Sequence, residues 1–202
     1  MKRSVIFGLV LIIASSVACG QEVSNTEHCK IQKLAADIEL ATSVRELAGL
    51  QKTSNAPDTI SFFAAYRTFQ IKKSSANAAA LLKVIPKTEQ EEMTRYSISG
   101  HDCFGLSEKE DNALDSQYDE LSPLLGQAIL LAPQFMNRYV SYSLFATMDV
   151  HSDYTQQMVP VCQRFHPQFM SAVSSLSEKD RKWMRRHLFN PERCTNLNMQ
   201  EE

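Results

Sequence analysis

Ser177-Glu-Lys-Asp-Arg-Lys-Trp-Met-Arg-Arg-His-Leu-Phe189 opens with a hydroxyl three residues ahead of an acid. In such a box the hydroxyl accepts a hydrogen bond from an orphaned backbone N–H, and the acid sits at the positive end of the helix. The stretch predicts a helix over about 178–189 whose buried line is Met184 and Leu188. The same box recurs at Ser43…Glu46, Thr88…Glu91 and Ser107…Glu110, each time where the apolar phase changes. Upstream, Ile31, Leu34, Ile38 and Ala41 fall at three- and four-residue spacings, one face of a helix beginning near Asn25 or Thr26.

Prolines mark further boundaries. Pro57 precedes a helix with Ile60, Phe63, Tyr66 and Phe69 or the neighbouring phases, and Pro86 ends the run Ala78–Ile85. Ser122-Pro123 reads as a cap and first helical residue, and Pro133 closes Leu124–Ala132. Pro160 and Pro167 leave 153–176 either kinked or split. No segment after residue 20 reads as a strand. The fold class is therefore all-α: an irregular bundle of antiparallel helix pairs, possibly HEAT-like, over residues 25–194 as one domain.

The chain has 202 residues, a formal charge of -2 and six glycines. Near-balanced charge gives no footprint for nucleic acid, and scarce glycine disfavours phosphate cradles. No HExxH, CxxC or G-x-S-x-G pattern occurs, so nothing implies a metal, another cofactor or an assembled catalytic centre.

Lys2 and Arg3 lead into the uncharged stretch Ser4–Cys19, with Val5–Ile13 as its apolar heart. That is the pattern of an export signal, and the apolar run is too short for a spanning helix, which needs about 20 residues. Two cleavage readings stand. Ser16-Val17-Ala18 supplies the small residues that ordinary signal peptidase inspects, while Ser16-Val17-Ala18-Cys19 resembles the lipobox of bacterial lipoprotein precursors, with Ser16 where leucine is usual. The resemblance implies a signal over 1–18, lipidation of Cys19 and membrane attachment through it. A linker over 19–24 then precedes the domain, and 195–202 forms a polar tail. Gly20 follows in place of the Asp of the inner-membrane retention signal, which implies an outer-membrane anchor facing the periplasm. The alternative is a soluble periplasmic or secreted protein.

Five cysteines are an odd set for an exported chain, and setting Cys19 aside for lipid leaves four, enough for two disulfides. The turn at Ser177 divides two helices, so residues about equally distant from it come level. Cys162 is 15 residues before the turn and Cys194 is 17 after it. This predicts Cys162–Cys194 and, by elimination, Cys29–Cys103.

Ser99-Gly-His-Asp-Cys103 is the densest polar cluster, but adjacent residues rarely converge on one point, and a disulfide-anchored turn accounts for it. His151 could meet His166 or His187 in a metal site, yet no i,i+4 spacing supports it. Aromatics from Phe135 to Phe145 at helical spacing read as core. The final helix is more distinctive: Arg181, Lys182, Arg185 and Arg186 surround Trp183, the only tryptophan. Arg and Trp are enriched at interface hot spots. The expected function is that of an envelope lipoprotein binding another envelope protein, in an immunity- or assembly-type role. A helical bundle binding a small molecule or lipid is the alternative, followed by a hydrolase without a recognised motif.

Overall fold

A computed structural model describes residues 27–53, 58–98, 105–146, 151–190 and 194. Among these every regular element is helical. Helix α1 covers 27–40, followed by α2 (Val44–Thr53), α3 (Asp58–Ile71), α4 (Ser75–Val84), α5 (Glu89–Ile98) and α6 (Glu108–Leu131). A 3-10 turn at Pro133–Phe135 leads into α7 (Met136–Ser143), α8 (His151–Arg164), α9 (His166–Ser175) and α10 (Glu178–Trp183), which passes into a π-helical turn, Met184–Leu188. The segments 1–18, 19–24 and 195–202 lie outside the described residues, as do Cys19, Cys103 and the whole 99–103 cluster.

All four expected starts are capped. Ser43, Thr88, Ser107 and Ser177 accept from the backbone N–H three residues on, at 3.1–3.4 Å. At Ser107 the box is reciprocal, because Glu110 accepts the Ser107 N–H at 2.7 Å. Ser74 provides a fifth cap, its Oγ accepting from Asn77 N at 3.2 Å, where the sequence shows only a polar break.

Two proline readings resolve differently. Pro123 lies inside α6, which runs unbroken for 24 residues. A proline within a helix costs about 3 kcal/mol, but Leu121, Leu124, Leu125, Ala128 and Ile129 around it are all buried. Each large side chain so buried contributes roughly 1.5–3 kcal/mol, and that outweighs the break. Residues 153–176 are split at Phe165: Pro160 stays inside α8, while Pro167 occupies the first turn of α9, where its missing N–H is not needed.

Helix α6 lies between α4 and α8, and the packing extends from α4 to α3 and from α8 to α9, with α7 against α9. Phe62, Phe63, Tyr66 and Phe69 of α3 are all buried, so α3 hides two apolar phases. Its neighbours α2, α4 and α5 cover it from several sides. Tyr139, Tyr142 and Phe169 fill the other half of the core.

Cys162 and Cys194 form a disulfide with Cα atoms 6.0 Å apart, as the level-position argument requires. It is the one disulfide with both ends among the described residues. The expected pair of staples is thus shown only in part: Cys29 is disulfide-bonded, but its expected partner Cys103 lies outside the described residues.

Candidate partner-binding surface

The last helix begins on a strong cap. Ser177 Oγ accepts from Asp180 N at 3.1 Å and donates to Asp180 Oδ2 at 2.6 Å. Six α-helical residues follow, and then the ladder widens: Phe189 N donates to Met184 O at 2.8 Å, an i→i+5 bond. Single π turns of this kind are rare and concentrate at functional sites.

The widening is fixed by what it buries. Met184, Leu188 and Phe189 are in the core, with the Phe189 ring edge-on to Phe169 at 5.7 Å. Arg185, Arg186 and His187, the three residues between the first two anchors, face solvent. Trp183 is half-buried, and its indole lies 5.4 Å from the His187 imidazole. The result is a cationic knuckle seated on three buried anchors.

The four sequence-selected residues are not equivalent. Arg181 is half-buried and donates from Nη1 to Ser174 O at 2.9 Å, tying α10 to the end of α9. Lys182 pairs with Glu178 at 2.6 Å, with side chains 67% and 73% exposed. Such an exposed pair is worth little and yields readily to a better partner. Arg185 and Arg186 are exposed and make no hydrogen bond or ion pair among the described residues. The structure thus exposes Lys182, Arg185, Arg186 and His187 and leaves Arg181 half-buried with a bond to the end of α9. Between residues 164 and 190 six basic residues oppose two acidic ones, in a chain whose total is -2.

A second polar cluster lies inside the molecule. Arg95 binds the Glu92 carboxylate through Nε at 2.9 Å and Nη2 at 2.5 Å, with side chains only 3% and 8% exposed. Tyr142 Oη donates to Glu92 at 3.2 Å, and the Arg95 guanidinium stands 5.3 Å from the Phe62 ring centroid. Sequence reasoning misses this cluster because a Glu and an Arg on a capped helix read as solvent-facing. The one signal is that Glu92, Arg95 and Ile98 share a face at three-residue spacing. A neighbouring set joins Gln70 to Tyr66 Oη at 3.2 Å and to Glu120 at 2.8 Å. Burial, then the Glu39 and Glu120 charges, pushes the Tyr66 phenol well above its ordinary range, and burial does the same to Tyr139. Neither is a ready proton acceptor, and the Glu92–Arg95 pair is closed off from solvent. These groups serve packing.

Near α1, Lys33 bridges Asp37 at 2.7 Å and also bonds Glu110. Bonds from Lys33 and Ser107 hold the Glu110 carboxyl down at about 2. No group of three metal-capable side chains occurs among the described residues, and none of their helices is long and apolar enough to cross a membrane. No protein-family model, curated protein or solved structure matches the chain.

Proposed function

We propose that this chain is an exported lipoprotein, anchored through Cys19 and facing the periplasm, whose helical domain binds another envelope protein through an acidic patch on that partner. The observation that carries the reading is the pair Arg185 and Arg186, held in solvent between the buried anchors Met184 and Leu188. Arginine is the cation best suited to such a contact, because its planar fork matches carboxylates two bonds at a time. Lys182 and His187 widen the contact and Trp183 gives it an apolar edge.

The export half of the reading rests on the N-terminal pattern and on cysteine chemistry. Cys29, Cys162 and Cys194 are all disulfide-bonded, which fits an oxidising compartment. In this reading Cys29 pairs with Cys103, Cys19 is left for lipid, and the domain is an irregular bundle of antiparallel helix pairs.

The test is a comparison of capture from the native envelope by the wild-type domain and by Arg185→Ala/Arg186→Ala. Truncating two hot-spot arginines costs at least about 1 kcal/mol each, so specific capture falls by roughly thirtyfold or more. Equal recovery of the same partner by both proteins rejects the knuckle as the contact.

A further inference from the structure

The cationic knuckle stands at the end of the fold, and its footing is small. Helix α10 has six residues and the π turn five. Isolated helices shorter than about 12–15 residues are marginal in water. Its core anchors are Met184, Leu188 and Phe189. Five residues beyond Phe189 the chain reaches Cys194, bonded to Cys162 in the body of α8. The π turn is therefore pinned on both sides, by the α9–α10 junction at Ser177 and by the disulfide.

We propose that closure of Cys162–Cys194 gates the display of this surface: the reduced chain leaves the 184–189 segment unformed, and oxidation after export assembles the π turn and presents Arg185, Arg186 and His187 together. The inference deepens the interface reading above and rests on it for its biological meaning. Chemically the step is thiol–disulfide exchange. The two thiols become one cystine, while the disulfide of an exported thiol-oxidising protein takes up the two electrons and two protons and leaves as two thiols. The gate is one-way. Cys162 is fully buried and Cys194 is 4% exposed, so an attacking thiolate cannot reach either sulfur in the folded protein. A chain still in a reducing compartment would thus be unable to engage acidic partners prematurely.

The experiment compares amide hydrogen exchange in the full oxidised chain and in Cys162→Ala/Cys194→Ala, which leaves Cys29 chemistry untouched. Peptides over 184–189 report the knuckle and peptides over 58–71 report the body. The expected result is faster exchange over 184–189 in the variant, by about thirtyfold or more, with the α3 peptides unchanged. Protection over 184–189 within about threefold of wild type overturns the gate. If the variant loses protection throughout, the comparison is repeated in an excluded osmolyte that restores the body, and the same two outcomes decide. Failure of the interface reading is separate: it shows as Arg185→Ala/Arg186→Ala leaving the affinity of the oxidised chain for a fluorescent polyglutamate peptide unchanged, whatever the exchange result.

Discussion

Glu110 serves two elements at once, closing the cap of α6 through Ser107 and bonding Lys33 of α1. Its carboxyl titrates at about 2, below the ordinary 4.5, so its stabilising effect is complete above the ordinary value and is lost as pH falls toward 2. Glu110→Gln should therefore lower stability at neutral pH. The gap to wild type should close progressively between pH 4.5 and 2 in urea titrations. Arg95 makes a different kind of residue-scale prediction. Arg95→Met strands the buried Glu92 carboxylate and should cost about 3–5 kcal/mol. Adding Glu92→Leu should recover part of that loss, because the uncompensated charge is gone. Recovery by the second substitution separates a charge effect from a simple packing defect. Neither residue is legible as core from sequence, since residue type argues for solvent and only the folded neighbours Tyr142 and Phe62 reverse it.

Among the elements, helix starts are the most legible feature, and the reason is locality. A cap involves residues three positions apart, so Ser43, Thr88, Ser107 and Ser177 announce themselves without tertiary help. Removing one should be correspondingly local: Ser177→Ala should cost about 1 kcal/mol and fray α10 first, visible as faster exchange over 178–183. Pro123 is illegible for the opposite reason, because what carries α6 through it is burial against α4 and α8. The α6–α8 contact is close. A Cβ on Gly126 would stand 2.9 Å from Gln157 Oε1 and 3.1 Å from Gln157 Cβ. Gly126→Leu should therefore destabilise by about 1–3 kcal/mol despite leucine's better helix propensity, as measured by thermal or chemical unfolding. The π turn also lies beyond sequence reading. An i,i+4 line of Met184 and Leu188 predicts an ordinary helix to Phe189, whereas the ring that Phe189 N closes on Met184 O holds one residue more than an α-helical turn, with Phe189 seated edge-on to Phe169.

Across the whole molecule, two long-range features are built from local arithmetic. The turn at Ser177 brings Cys162 level with Cys194, and the disulfide closes a sequence separation of 32. A loop of that length constrains the unfolded chain by about 3–4 kcal/mol, acting on the segment between the two cysteines. The second feature is charge: residues 164–190 carry six basic residues against two acidic ones in a chain whose total is -2. Together they place a cationic surface on the segment that the disulfide holds. The central claim is that Arg185 and Arg186 contact an acidic protein partner, and site-specific photo-crosslinking in the native envelope tests it most directly. A photoreactive phenylalanine analogue replaces His187, which is exposed beside the two arginines, and in a control replaces Lys73, exposed just beyond the end of α3. The expected result is one discrete adduct from position 187, absent from position 73 and lost when Arg185→Ala/Arg186→Ala is combined with the probe. An adduct at 187 that survives loss of both arginines, or no adduct there at all, would contradict it.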